Sequence, residues 1–280
     1  MEKIVKKFSE AEIERLHLIA KKLRRHALNM IFKAQAGHIG GSLSLAEIMA
    51  CLYFHVAKID PHKPDWPQRD RIVVSKGHCA PIYYAALAER GYFPLQILET
   101  YDEFGSILQG HPDVCTPGVD MPSGSLGMGL SVGVGMALGA RLKNKDFHIY
   151  VILGDGELQS GEIWEAAMSA AKYKLGNLIA IIDNNQLQVT GFVKDIMPVE
   201  PLKEKWRAFD WRVFQIDGHN IPQILGTIEQ CKKIKRQPVV IIANTIKGKG
   251  ISFMENSPTW HAKIITRDEY DRAIMELDNE

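Results

Sequence analysis

Residues 154–188 read GDGELQSGEIWEAAMSAAKYKLGNLIAIIDNNQLQ. The stretch opens on a turn that closes the apolar run HIYVIL (148–153). It then carries a helical pattern and enters a second apolar run, LIAIID (178–183), followed by two asparagines. Neither run alternates polar with apolar residues, which suits strands buried on both faces of a parallel sheet. In a right-handed β–α–β unit both strands finish at the same edge, about 4.8 Å apart if they are neighbours. Asp155 and Asn185 are therefore expected at one edge, where ligands of open α/β sheets bind. A carboxylate and an amide oxygen are hard ligands, better suited to Mg2+ or Ca2+ than to zinc, and magnesium completes its shell with water and phosphate oxygens. Gly154 and Gly156 allow close backbone approach, and the following helix offers free N–H groups. The expected ligand is a metal-bridged diphosphate.

Outward from this unit the strand–helix alternation continues. RIVVS (71–75), VFQID (213–217) and PVVIIANT (238–245) read as further strands. The pattern predicts an α/β fold, a mostly parallel sheet with helices on both faces. Upstream, residues 9–35 have helical spacing, with Ser9 and Glu12 placed for a capping box. GHIGGS (37–42) reads as a glycine-rich turn, 44–57 as a helix, and 60–70, with three prolines and several charges, as surface loop. KGHCAP (76–81) reads as a turn into another helix, and the tail after about 263 as polar and peripheral. With no repeat or linker in view, residues 1–280 are expected to form a single domain.

Composition narrows the classes. Of 280 residues, 46% are hydrophobic, enough for a sizeable core, and the net charge of +1 favours neither nucleic acid nor an acidic partner. Four separated cysteines without a C-x-x-C pair, and an N-terminus without an apolar leader, predict a reduced, cytoplasmic protein. The least charged run, 121–140, leaves about 15 helical residues after its Pro/Ser/Gly start, short of the ~20 a membrane span needs. Gly127, Ser131, Gly135 and Gly139 recur every four residues there, a spacing that permits close helix packing, within the chain or at a subunit interface.

GDG alone is an ordinary turn and DNN an ordinary loop; two such pieces after two buried strands, separated by one helix, are a stronger signal. No P-loop and no strand-borne G-x-G-x-x-G competes. GDG, 27 residues, then NN resembles the signature of thiamine-diphosphate enzymes. The stretch as a whole, with GHIGGS, SKGHCAP, QGHP, GSLGMG, DGHN and TIKGKG…WH in order, resembles transketolase over roughly residues 15–265.

The resemblance implies a thiamine-diphosphate-binding fold and the transfer of a two-carbon glycolaldehyde unit from a ketose phosphate to an aldose phosphate, as in pentose phosphate metabolism. By the same resemblance Asp155, Asn185 and the carbonyl of Leu187 would hold Mg2+ (or Ca2+ or Mn2+). Gly156 would lie against the diphosphate, with Gly154, Glu157, Asn185 and Lys247 also among the cofactor-binding residues. Gly124, Ser125 and Leu126 would meet the cofactor's rings. His78 would contact the diphosphate, His111 the donor's C1 hydroxyl, and His38 and His261 would assist proton transfer, His261 also touching the cofactor. Imidazole suits such work because its pKa lies near neutral. His17, His26, His55, His62 and His148 read as structural or solvated, and His219 of DGHN is left unassigned.

Two local departures stand out. Ser160 occupies a position where the family often has a glutamate of an intersubunit carboxylate cluster, although Glu165, another member, is present; and the usual WHG is WHA at 260–262. The larger departure is length. Transketolases continue into pyrimidine-binding and C-terminal domains, so the resemblance implies the N-terminal subunit of a split enzyme, a heterotetramer with two copies of each chain. Alternatives are a transketolase-like chain specific for a branched or sulfonated ketose phosphate, the α subunit of a 2-oxo acid dehydrogenase, which GHIGGS and the four histidines oppose, or a non-catalytic cofactor-binding subunit.

Overall fold

The computed structural model describes residues 8–279; the leader reading at residues 1–7 lies outside them. Its strands are β1 (Arg71–Val74), β2 (Ile149–Gly154), β3 (Leu178–Asn184), β4 (Leu187–Gln188), β5 (Gly191–Phe192), β6 (Arg212–Asp217) and β7 (Val239–Asn244). Five form one sheet in the order β1-β2-β3-β7-β6, every neighbouring pair parallel, while β4 and β5 make a separate antiparallel hairpin. In β2, Tyr150 and Ile152 face one core layer while Val151 and Leu153 face the other. That is why the run shows no polar alternation: a period of two is present, and both faces are dry.

The helices are α1 (Glu10–Ala34), α2 (Ile39–Leu43), α3 (Ala46–Cys51), α4 (Ala80–Arg90), α5 (Met128–Leu142), α6 (Gly161–Lys172), α7 (Val193–Ile196), α8 (Leu202–Ala208), α9 (Ile221–Cys231) and α10 (Arg267–Asn279). One face of the sheet buries Leu16, Leu23 and Ile31 of α1 with residues of α3, α4 and α9. The other buries Leu130 of α5, Ile163 of α6 and the pair Trp206–Trp211, whose rings lie 4.8 Å apart. Fully burying one large apolar side chain contributes about 1.5–3 kcal/mol, so these two layers supply the main drive to fold.

Several expectations change. GHIGGS is not a turn: Ile39–Leu43 is a short helix whose five residues are all buried. The helix read over 44–57 is α3 followed by a wider-wound turn, Leu52–Val56. Within the 60–70 loop, Arg69 and Asp70 are buried, Arg69 gripping Asp120 through two hydrogen bonds of 2.6 and 2.9 Å. The α1 cap is half a capping box. Ser9 Oγ accepts from Glu12 N at 3.2 Å, while the Glu12 carboxylate is held by Arg15 and His55. The C-terminal tail is not peripheral: α10 buries Ala273 and Leu277, and Tyr270 stacks on Phe32 of α1 at 4.1 Å.

Candidate active site

Parallel strands leave all their C-terminal ends at one edge. Ser75 and Lys76 follow β1, Asp155 follows β2, Asn185 follows β3 and Thr245 to Lys247 follow β7, with Gly154 level with Asp183 and Asn184 level with Asn244. A cavity of about 390 Å3 opens there. It is lined by His38, His78, His111 and His261, by Gly124 and Leu126, by Gly154, Asp155, Gly156 and Glu157, and by Asn185, Leu187 and Lys247. Ser125 sits between Gly124 and Leu126 on an exposed turn and is not part of the lining. Residues drawn from positions 38 to 261 thus meet at one place.

The histidines gather around His38, which lies 5.1 Å from His78, 5.2 Å from His261 and 6.3 Å from His111, ring centre to ring centre. For His38, His78 and His261 burial favours the neutral form, and nearby charged groups reinforce it. His78 is pushed down to about 2 by burial and by Lys76, and His261 to about 3 by burial and by Lys247. His38 is lowered by burial and by His111. All three shifts favour the uncharged ring. Lys247 Nζ lies 2.8 Å from His261 Nδ1 and 3.1 Å from the Leu187 carbonyl, and burial with Lys76 nearby lowers its pKa to about 8.

The Asp155 carboxylate accepts from Gly156 N at 2.7 Å and from Gln186 N, which ties the end of β2 to the loop after β3. Burial and neighbouring Asp183 push its pKa up to about 6. A buried carboxylate raised in this way is a place where a cation would be welcome. Asn185 Oδ1 accepts from Leu187 N at 3.1 Å. Among the described residues no group of three His, Cys, Asp or Glu converges on a metal position. The oxygens on offer are one carboxylate, one amide and one backbone carbonyl, a set that fits a hard divalent cation with room left for ligand oxygens.

Three sets of contacts went unread in the sequence, although Glu157 is expected there among the cofactor-binding residues and His219 is noted without a role. The first is a buried pair, Lys76–Asp183. Asp183 also accepts from Ser44 Oγ at 2.7 Å, Asn185 Nδ2 at 3.0 Å and Thr245 Oγ1, so it joins α2, β1, β3 and β7 beneath the cavity. Burial opposes both charges, yet each partner holds the other ionised: Asp183 is lowered and Lys76 raised. The second is Glu157, whose carboxylate turns inward to Ser75 Oγ, Gly127 N (2.8 Å) and Gly154 N (2.9 Å), so that it organises the cavity's loops. Gly127 sits at φ +94°, and a Cβ there would collide with Ser160. The third is His219, whose Nδ1 lies 2.9 Å from Glu47 while its Nε2 accepts from Ile246 N at 2.8 Å, bracing the loop that carries Lys247. The asparagine-flanked Asp183 and the lysine of SKGH were visible as letters; their partners were not, because they lie 107 positions apart.

The model of the family described as transketolase, thiamine diphosphate binding domain, matches residues 16–277. The chain is 48% identical to the 6-deoxy-6-sulfo-D-fructose transketolase subunit SqwG of a Clostridium species, over 97% of this chain and 99% of that one. It is 41% identical to an apulose-4-phosphate transketolase subunit of Phocaeicola vulgatus, over 95% of each. Among solved structures, transketolase of Campylobacter jejuni superposes with a TM-score of 0.90 at 34% identity, over 95% of this chain but 43% of that one. The chain spans less than half the length of such full-length transketolases. On these grounds, and with the strand-edge cavity in the matching region, the chain belongs to the transketolase family, as a thiamine diphosphate binding domain.

Proposed function

We propose that this chain is the N-terminal subunit of a two-polypeptide transketolase that moves a two-carbon glycolaldehyde unit from a ketose phosphate to an aldose phosphate. Residues 1–280 are read as one domain, of which 1–7 and 280 lie outside the described residues. The observation that carries the reading is a single cavity in which four imidazoles and Lys247 face the oxygens of Asp155, Asn185 and Leu187. In this proposal those three oxygens hold Mg2+, while Lys247, His78 and the backbone of Gly154 and Gly156 hold the diphosphate. Thiamine diphosphate, when bound, supplies the nucleophilic carbon and electron sink for ketol transfer. The chain's own part is positioning and proton handling. A neutral His38 can accept a proton from a substrate hydroxyl, and His261, whose Nδ1 faces the Lys247 ammonium, presents an Nε2–H donor. In this proposal His111, which lines the same cavity, meets the donor's C1 hydroxyl.

A second polypeptide would bring the pyrimidine-binding and C-terminal domains, in a heterotetramer with two copies of each chain. Supporting this, relatives of the same length are named as subunits, and Met128, Leu142 and Met168 leave apolar surface exposed on α5 and α6. Gly135 and Gly139 of the four-residue series also face open space, whereas Gly133 packs on β2. No helix among the described residues is long and apolar enough to cross a membrane, and the four cysteines are free; we place the enzyme in the cytoplasm.

A second reading concerns the sugar. Relatives named for a sulfonated fructose and for apulose 4-phosphate favour an unusual donor over the xylulose 5-phosphate of pentose phosphate metabolism. The test is reconstitution. The chain and its co-purifying partner are mixed with Mg2+ and thiamine diphosphate, then assayed with xylulose 5-phosphate, 6-deoxy-6-sulfofructose and apulose 4-phosphate as donors. Ketol transfer that needs both chains supports the proposal, and the preferred donor decides the second reading. Full activity from this chain alone overturns the split; no transfer from any donor, despite cofactor binding, overturns the enzymatic reading.

A further inference from the structure

A second cavity, about 600 Å3, lies at the opposite edge of the sheet. It is formed by the segments that enter three adjacent strands: Asp146–His148 before β2, Gly176–Asn177 before β3 and Lys235–Arg236 before β7. The ends of α5 and α6 complete it. Six cations line it (Arg141, Lys145, Lys172, Lys174, Lys235 and Arg236) against a single carboxylate, Asp146. In a chain whose net charge is +1, this is a marked concentration of one sign. Among the described residues Lys145, Lys172, Lys174, Lys235 and Arg236 form no salt bridge.

Cations commonly gather at helix C-termini to complement the dipole and cap carbonyls. Here the capping is largely done by backbone. Lys145 N donates to Ala140 O at 2.8 Å and Leu175 N to Ala170 O at 3.1 Å, closing both helices with their own N–H groups. The chain is turned for the second closure by Lys174, in the left-handed region at φ +52°, a position where glycine is favoured. At Gly176 the chain passes so close to the Lys235 backbone that no Cβ would fit, which packs the two basic segments together. A concave, one-sign pocket focuses its field on small anions more than on a flat polymer surface. Half-exposed Tyr173 at the rim offers a π face as well.

We infer that this basic cavity is a binding site for a small polyphosphate anion, separate from the cofactor cavity. The shared chemistry is a chain of phosphates, whether inorganic or carried by a nucleotide. The full-length chain, saturated with Mg2+ and thiamine diphosphate, is titrated calorimetrically with inorganic triphosphate, with ATP and with adenosine. Triphosphate and ATP are expected to bind one per chain, with affinity falling roughly tenfold or more between about 20 and about 300 mM NaCl. Equal affinities identify the phosphate chain as the recognised part; tighter ATP binding, lost in Tyr173→Ala, adds a stacked base. The Lys172→Ser/Lys235→Ser and Lys145→Ser/Arg236→Ser pairs should each weaken triphosphate about tenfold or more while leaving melting temperature and thiamine diphosphate binding unchanged. The inference is overturned by absence of triphosphate binding at about 1 mM in low salt, by binding that appears only when thiamine diphosphate is left out, or by affinity indifferent to both double variants.

Discussion

Lys247 Nζ stands 2.8 Å from His261 Nδ1, fourteen residues away, in the wall of the cofactor cavity. An ammonium has only protons to offer, so Nδ1 must accept and the ring's proton resides on Nε2. Lys247 is itself 2% exposed, with the Leu187 carbonyl as its other partner. Replacing it with methionine keeps the stem's bulk and removes the charge. Lys247→Met is expected to weaken thiamine diphosphate about tenfold or more, since a hydrogen bond to a charged group is worth roughly 1.5–3 kcal/mol. Cofactor titration by tryptophan fluorescence checks it; an unchanged affinity would place Lys247 outside the diphosphate's reach.

Asp155 brings the only carboxylate of the proposed metal set, and it also anchors Gly156 N and Gln186 N. Asp155→Asn retains an acceptor for one of them and loses the charge. Metal-dependent thiamine diphosphate binding is expected to vanish, while the far-UV circular dichroism stays that of the parent. In the parent, EDTA should release the cofactor and Mg2+ restore it. Cofactor retention by the variant, or indifference to EDTA, would sink the metal assignment.

The Lys76–Asp183 pair predicts a double-mutant signature. Removing one member of a buried ion pair strands the other, at a cost of roughly 3–5 kcal/mol. Asp183→Ala should therefore destabilise the fold by about that amount, and adding Lys76→Met should recover part of it. Urea unfolding of the four proteins measures the coupling; simple additivity would mean that the two charges do not depend on each other.

A pH effect follows from Glu47. Burial would push its carboxyl up, but the Arg24 guanidinium, with two contacts of 2.6 and 2.8 Å, and His219 outweigh it and hold the group at about 2. A carboxylate lower in the folded state than in the unfolded chain stabilises above the unfolded value, near 4.5, and loses that contribution as pH falls toward 2. The difference is on the order of 3 kcal/mol. Unfolding midpoints from pH 6 to pH 3 should drop less steeply for Glu47→Gln, which is also less stable at pH 7. Parallel profiles would contradict this account.

The parts legible in the sequence were those in which neighbouring letters share one structural cause. HIYVIL and LIAIID announced buried strands because both faces of the sheet are dry, and one parallel crossover then placed Asp155 and Asn185 at a common edge. The histidines were found through the resemblance, since no local periodicity links positions 38, 78, 111 and 261. GHIGGS was misread because glycine's weak helix propensity was overridden by burial, which packs Ile39 and Leu43 into the core. Arg69–Asp120 and Glu47–His219 were invisible because each is a long-range pairing of letters that look like solvated charges. The α10 clasp was missed for a related reason: its buried residues, Ala273 and Leu277, lie on one face of a helix rich in charge.

The strand order has a consequence for biosynthesis. β6 is synthesised before β7 yet lies outside it, so an interior place in the sheet stays vacant until residue 244 has left the ribosome. Until then β3, with its uninterrupted isoleucine-rich run, presents an unpaired edge to other nascent chains. Lys247 follows three residues on, so the strand that completes the sheet also brings a lysine into the cavity wall, which His261 then completes. Maturation of this chain is thereby coupled to competence: a ribosome-bound polypeptide halted short of β7 has neither a continuous sheet nor Lys247 in the wall of the strand-edge cavity.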